Sequence, residues 1–316
     1  MRKLAAYALL LLATLSATAR ADDDAAAPPP PPPKRKAGEL TLLYVAGIGW
    51  GASIAVFADS LQYTNRLAAS ADAGVFLAPL TAGVGILLPT VVDVAFGKRP
   101  GAAQTVSSSM VLALGESIAL NEYFSNRAST SFHTYTKDAS WIFGGTTVGL
   151  ATGLTIAGLV HTTPGRAAWV ETTGLFAGVF AASVAGAIER PPSSVAPYGR
   201  ENIRDVGLTG ALGGAAGIAV GLGTATLLSP SVLRAHIVDV GWMLPAAISV
   251  VACAKCAPYD TFAAMALSGG IGFVAAFLGT MALPQVGLSS VQAPTIMPYA
   301  MPTATGGLEI GLGGTL

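Results

Sequence analysis

The sequence predicts an all-α membrane protein with about eight transmembrane helices. Of its 316 residues, 52% are hydrophobic and only 11% are charged, whereas about a quarter are charged in a typical soluble domain. From Leu40 onward, apolar runs of mostly about 20 residues recur between polar breaks, and this length crosses about 30 Å of hydrocarbon as a helix. A membrane β-barrel is the alternative, but its strands alternate in polarity over about ten residues. The runs here are apolar on both faces.

The N-terminal segment has the composition of an export signal. Arg2 and Lys3 precede an apolar stretch, and Ala19-Arg20-Ala21 matches a cleavage site, so residues 1–21 are predicted to be a signal peptide. An uncleaved anchor helix is the alternative. Residues 22–38 contain six consecutive prolines and are predicted to form a disordered linker. A signal followed by membrane helices predicts a protein of the bacterial cell envelope.

Eight apolar segments follow in order. Their limits are 40–58, 73–92, 102–120, 139–160, 167–188, 206–228, 237–254 and 261–283. Segment 102–120 is the least apolar, because it contains Gln104, three consecutive serines and Glu116. We expect this segment to insert behind its neighbours rather than as an independent span.

The transmembrane domain is predicted over residues 39–283, and residues 284–316 are predicted to be an extended, disordered tail in which 308–316 alternates like a strand. A cleaved signal places the N-terminus outside the cytoplasm, and eight crossings return the tail to the same side. Basic residues favour this orientation by seven to four, but Lys34-Arg35-Lys36 makes the two sides equal. Because the charge count does not decide the orientation, we rely on the cleavage site and predict that both tails are extracytoplasmic. The inner membrane is the favoured location.

A charge pattern precedes three of the segments. An arginine is followed five residues later by an acid or an amide: Arg99 by Gln104, Arg166 by Glu171, and Arg234 by Asp239. The arginines lie 67 and 68 residues apart, which predicts a repeated two-helix unit. Chance resemblance among Gly- and Ala-rich segments is the alternative. We expect the arginines to lie in the links and reach lipid headgroups, and the acids to lie in the first turns of the next helices, as interface anchors.

Small residues recur every fourth position within the apolar segments. The glycines in this pattern are Gly145, Gly149, Gly153, Gly174, Gly178, Gly186, Gly213, Gly217, Gly221 and Gly272. Residues four apart share a helix face, and small residues there let the backbone of a partner helix approach closely. The pattern predicts glycine-zipper contacts between helices, and it is also typical of self-association in the membrane.

Two features contain residue types that can take part in chemical reactions or ion binding. Glu116 lies deepest in an apolar segment, which makes it a candidate for ion or proton coupling or, alternatively, a hydrogen-bonded core acid. Cys253 and Cys256 are the two cysteines of the chain, and a disulfide, a redox pair and two inert thiols are the alternatives.

An enzyme is not indicated. The three histidines are scattered, and no nucleophile–base pair, P-loop or dinucleotide motif is found. Lys98-Arg99-Pro100 resembles the first basic motif of one family of membrane phosphatases, but no Ser-Gly-His motif follows. We predict no cofactor, metal or nucleic-acid partner, and membrane lipid as the surroundings. The predicted function is a structural or scaffold role, and the alternative is a channel or transporter for a small solute or ion.

Overall fold

The computed structural model describes residues 38–64, 73–124, 131–188, 200–282, 295–302 and 308–315. The predicted signal peptide and all but the last residue of the predicted linker lie outside these ranges. The helices within them are α1 Gly38–Thr64, α2 Ala73–Ile86, α3 Leu88–Phe96, α4 Ala102–Phe124, α5 Ser131–Leu159, α6 Pro164–Ile188, α7 Arg200–Leu228, α8 Val232–Ala252 and α9 Pro258–Ala282. Two antiparallel strands, β1 Thr295–Pro302 and β2 Leu308–Thr315, follow, and the strand-like alternation of the tail falls on β2.

Within the described residues, seven helical spans are long and apolar enough to cross a membrane, with α2 and α3 contributing one shared span over Pro79–Phe96. The remaining helix, α4, is not among them. Its 23 residues nevertheless reach about 34 Å at 1.5 Å per residue, which is long enough to cross. The predicted all-α membrane fold is therefore confirmed, and the chain is a multi-pass membrane protein.

The second predicted segment contains a break. Pro89 has no N–H to donate to the carbonyl of Gly85, so the helical ladder is interrupted there. Leu87 instead donates its N–H to the Val84 carbonyl at 3.1 Å, and α3 restarts at Leu88. The helix then continues to Phe96 and ends at Gly97, whose φ of 64° lies in the left-handed region.

Most helices start before their predicted apolar segments, and at α6 and α8 the structure shows a cap that accounts for the earlier start. Both begin earlier than the apolar segments, at Pro164 and Val232, because hydroxyl side chains accept the first free N–H groups. Thr163 accepts from the Arg166 N–H at 3.4 Å, and Ser231 accepts from the Arg234 N–H at 3.2 Å. The prediction that these two arginines lie in the links is therefore wrong, since both lie in first turns. Arg99 does precede its helix.

Many large apolar side chains face outward, whereas several polar ones are buried inside the bundle. Val94 and Leu227 are each 83% exposed on the bundle surface, where lipid surrounds them. Gln104, Ser107 and Thr172 are fully buried. Because lipid solvates apolar side chains as well as a protein core does, the interior is free to hold small and polar groups.

Helices α4 and α6 form the centre of the bundle. Helix α4 packs against α1, α3, α5, α6 and α7, and α6 packs against α4, α7, α8 and α9. One buried apolar cluster joins α1, α3, α4 and α5 around Leu43, Val106 and Met110. A second joins α6, α7 and α8 around Trp169 and Trp242. The expectation that segment 102–120 lies behind its neighbours agrees with the central position of α4.

The glycines of the four-residue pattern lie where two helices meet. On α5, a Cβ added to Gly149 would lie 2.6 Å from the Ser109 carbonyl oxygen, and one on Gly153 would lie 2.7 Å from the Val106 Cα. Gly145 faces Ser117 on the same partner, α4. A side chain at these positions would therefore separate α5 from α4.

The same arrangement joins α6 to α7 and the later helices. Helix α7 faces α6 with three glycines, Gly213, Gly217 and Gly221. On α6, Gly178 faces α7, and Gly174 lies between α4 and α7. Gly186 faces the Phe262 ring of α9, and Gly272 of α9 faces Gly241 of α8. These faces, which also suggested self-association, are thus occupied by helices of the same chain.

Candidate functional site

Helices α4, α6 and α8 begin next to one another. A Cβ on Gly101, before α4, would lie 3.3 Å from the Pro164 nitrogen at the start of α6. A Cβ on Gly165 would lie 3.1 Å from the Ser231 Cα, at the start of α8. The Gly101 N–H also donates to Glu39 Oε2 of α1 at 2.7 Å. Four helices therefore start at one face of the bundle.

A polar centre lies inside this face; we use the term for Gln104 and Ser108 of α4, Glu171 of α6, and His236 and Asp239 of α8. Glu171 and Asp239 each lie seven residues into their helices, a depth of about 10 Å. The polar centre therefore lies below the helix starts and within the bundle.

Hydrogen bonds join α4 to α6 in this centre. Gln104 Nε2 donates to Ser108 Oγ at 3.1 Å, and Ser108 Oγ donates to Glu171 Oε2 at 2.6 Å. The three residues are 0%, 4% and 8% exposed. The distance of 2.6 Å lies within the range of O–H···O hydrogen bonds, so this bond links α4 to α6 directly.

Helix α8 contributes an acid and a histidine. His236 Nδ1 and Asp239 Oδ2 lie 3.5 Å apart, one helical turn from each other, and both side chains interact electrostatically with Glu171. Four buried side-chain atoms have no hydrogen-bond partner among the described residues: Gln104 Oε1, Arg234 Nε, Asp239 Oδ1 and Trp242 Nε1. Two of them, on Gln104 and Asp239, belong to the polar centre. The centre therefore retains hydrogen-bonding capacity that the described residues do not use.

This arrangement can handle protons or cations, and it can hold helices together. Within the part of the chain that the structure describes, no group of three or more His, Cys, Asp or Glu side chains is placed to hold a metal ion. Glu171, which is buried, Asp239, which is partly buried, and His236, which is exposed, can each take up and release a proton. The same hydrogen bonds also fix the register of α4 against α6.

The three predicted arginine anchors have different surroundings. Arg166 is exposed. Arg99 donates to the Ala157 carbonyl at 2.6 Å, and its Nη1 lies 2.8 Å from His161 Nε2. Arg234 is only 5% exposed and donates to the Thr280 carbonyl, near the end of α9, at 3.0 Å. The carbonyl end of a helix favours a cation, which accounts for the buried position of Arg234.

Two of the three arginines, Arg166 and Arg234, have the same residue types at the same spacings around them. After Thr163 and after Ser231, an arginine follows three residues later and an acid eight residues later. Before α4 the arrangement differs, because Arg99 lies in a link that contains a left-handed residue, Lys98, with a φ of 60°. The amide Gln104 then lies in the first turn of α4, whereas Glu171 and Asp239 lie in the second or third turns of their helices.

Glu116 lies elsewhere, further along α4. It is 14 residues beyond Ala102, a distance of about 21 Å along the helix. Its Oε1 touches Gly214 of α7, where the missing side chain leaves room for the carboxyl group. No hydrogen bond or ion pair to Glu116 is found among the residues that the structure describes. Its neighbour Ser117 faces Gly145 of α5.

The two cysteines lie at the opposite end of α8, in the turn before α9. Both are free thiols in the structure, with Cys253 half-buried and Cys256 exposed. The neighbouring Cys253 side chain, followed by burial, raises the pKa of the Cys256 thiol. The disulfide considered from the sequence is not formed in this structure.

Sequence reasoning did not identify Ser108 or His236 as parts of a site. Two spacings were available as signals. Gln104 and Ser108 lie four residues apart, and His236 and Asp239 lie three apart, so each pair shares one helix face. Neither signal shows that the two faces meet.

The fold and its buried polar groups define a multi-pass α-helical membrane protein with an acidic centre near one face. No protein-family model matches the chain, and no curated protein or solved structure is significantly similar to it.

Proposed function

We propose that this chain is a structural, non-enzymatic protein of the bacterial cell envelope that acts as a scaffold in the membrane. The observation that carries the proposal is the contact between α6 and α7. Gly178 of α6 lies against Gly210 and Gly214 of α7, with 3.3 Å from its added Cβ to the Gly210 oxygen and 3.4 Å to the Gly214 Cα. Such close helix contacts favour a rigid body over one that opens a path.

The polar centre has a structural part in this proposal. Ser108 and Glu171 join the two central helices, α4 and α6, through a buried hydrogen bond. Such a bond is lost when one helix slides or rotates against the other, so it favours a single arrangement. The repeat of a capping hydroxyl, an arginine and an acid at α6 and α8 supports a scaffold built from related two-helix units.

We also propose that both tails face away from the cytoplasm, in the inner membrane. Glu39 at the start of α1 and Thr280 near the end of α9 each contact the face where α4, α6 and α8 begin. Both ends of the helical domain therefore lie on one side.

Protease mapping tests this orientation. The chain is expected to remain in the membrane pellet after alkaline carbonate extraction. Protease added outside intact spheroplasts should remove residues 22–38 and 284–316 and spare the helical domain. Digestion of the tails only in inverted vesicles would reverse the orientation, and release by carbonate would contradict membrane integration.

A channel or transporter for protons or a small cation is the second candidate. Glu116 favours it, because an intramembrane carboxyl group with no partner among the described residues is a functional candidate by default. The polar centre also favours it, because it places Glu171, Asp239 and His236 within electrostatic range of one another.

Reconstitution in liposomes separates the two candidates. For a scaffold, proton and potassium flux should equal that of protein-free liposomes, while an added ionophore gives the full signal. For a transporter, Glu116→Gln or Glu171→Gln should lower flux by about tenfold or more, since about 1.4 kcal/mol on a barrier changes a rate tenfold. Asp205→Asn is the matched control, because it removes a carboxylate from an exposed position near the start of α7. Flux that the control lowers equally would not support a path through either acid.

A further inference from the structure

The turn between α8 and α9 brings the two cysteines of the chain together. Cys253 ends α8, where its N–H donates to the Ser249 carbonyl at 2.9 Å. The Cys256 N–H donates to the Cys253 carbonyl at 2.9 Å and closes a four-residue turn. Thr261 of α9 donates its hydroxyl to the same carbonyl at 3.3 Å. The turn is therefore held by both helices, and Cys253 and Cys256 lie three residues apart within it.

The pair is accessible from water. Cys256 is exposed, Cys253 is half-buried, and both lie between the spans Val232–Ala252 and Pro258–Met281. A dissolved reagent can thus reach Cys256 first, and Cys253 is the thiol next to it.

The surroundings do not favour two familiar uses of a Cys-X-X-Cys pair. Fast thiol oxidoreductases have a lowered thiol pKa, whereas Cys253 and then burial raise the pKa of Cys256, with a smaller contribution from the nearby Asp260. A structural zinc ion needs four ligands, and the described residues provide no group of three or more His, Cys, Asp or Glu side chains.

We propose that Cys253 and Cys256 form a reversible oxidation site, which a low-molecular-weight disulfide converts into an intrachain disulfide. The Cys256 thiolate attacks one sulfur of the external disulfide, whose S–S bond breaks and releases one thiol. The Cys253 thiolate then attacks the Cys256 sulfur of this mixed disulfide and releases the second thiol. Two protein thiols are oxidised, one external disulfide is reduced, and the two protons pass to the released thiols.

The resulting ring spans only the four residues of the turn, so it removes little conformational freedom from the unfolded chain. The disulfide is therefore expected to change the melting temperature little and to be easily reduced. These properties suit a reversible site better than a structural bond.

Thiol counting on the full-length protein in detergent tests the proposal, with oxidised glutathione as the oxidant. The reduced protein should react at both of its cysteines with maleimide-polyethylene glycol. After oxidation it should react at neither, carry no glutathione by intact mass, and recover both thiols with dithiothreitol. The oxidation rate should rise with pH into the alkaline range, because the raised pKa leaves little Cys256 thiolate at neutral pH.

Single variants check the order of the steps. Cys253→Ser should stop at a glutathione adduct on Cys256, whereas Cys256→Ser should form its adduct more slowly, because Cys253 is less exposed. Two reactive thiols in the oxidised wild type, stable glutathione adducts at both positions, or disulfide-linked dimers would each overturn the proposal. Circular dichroism of each variant shows whether the helical fold is retained.

Discussion

Replacing Gly217 with leucine is expected to destabilise the folded protein by about 2 kcal/mol or more. Gly217 touches the Thr173 carbonyl oxygen, and an added Cβ would lie 2.6 Å from the Ala177 Cβ and 3.0 Å from the Gly174 Cα. Overpacking costs about 1–3 kcal/mol, and the upper end applies here because backbone atoms cannot rotate away. The higher helix propensity of leucine offsets about 1 kcal/mol of this cost.

The measurement is thermal unfolding in one detergent, followed by circular dichroism. Gly223→Leu is the matched control, because it lies on the same helix and an added Cβ meets no atom within 4 Å. The control should unfold within a few degrees of wild type. Equal melting of Gly217→Leu and wild type would show that α6 and α7 do not approach as described.

Removing the Ser108 hydroxyl is expected to lower the free energy of unfolding by about 2 kcal/mol. Ser108 donates to Glu171 Oε2 at 2.6 Å, and both residues are buried. A hydrogen bond contributes about 0.5–1.5 kcal/mol between neutral groups and about 1.5–3 kcal/mol to a charged group, and its removal leaves a buried carboxyl oxygen without this donor. Ser108→Ala should therefore destabilise the protein strongly, but much less so when Glu171 is already replaced by glutamine.

A double-mutant cycle of Ser108→Ala and Glu171→Gln measures this coupling, which we expect to be about 1 kcal/mol or more. Ser140→Ala is the control. Ser140 is exposed, and its hydroxyl donates to the Thr136 carbonyl of the same helix at 2.6 Å. Ser140→Ala should therefore change the free energy of unfolding by no more than about 0.5 kcal/mol. Strict additivity of the first two substitutions would mean that a carboxyl group at position 171 accepts this hydrogen bond no better than the amide oxygen of glutamine does.

The transmembrane helices could be predicted because length and apolar content are local properties of a segment. Their starts were less accurate, since apolar content marks where hydrocarbon begins and not where a helix is capped. Thus α8 begins at Val232, five residues before the predicted segment, because Ser231 provides a cap. The break before α3 required attention to Pro89, whose effect is also local.

The candidate site depends on contacts that no local pattern reveals. Glu116 is the most deeply placed acid by sequence, yet it is Glu171 that receives a hydrogen bond from another helix. The equal spacing after Arg166 and Arg234 indicated that Glu171 and Asp239 were related positions, but not that both interact with each other. Arg234 looked like a lipid anchor, and its partner, the Thr280 carbonyl, lies 46 residues away in the chain.

The central position of α4 has a consequence for biogenesis. This helix contains the three consecutive serines and Glu116, which make its transfer from the translocon into lipid unfavourable as a single helix. Its glycine-bearing partner α5 emerges afterwards from the ribosome and covers one of its sides. We therefore expect the two to leave the translocon as a hairpin, and a chain truncated before Ser131 to leave α4 outside the bilayer.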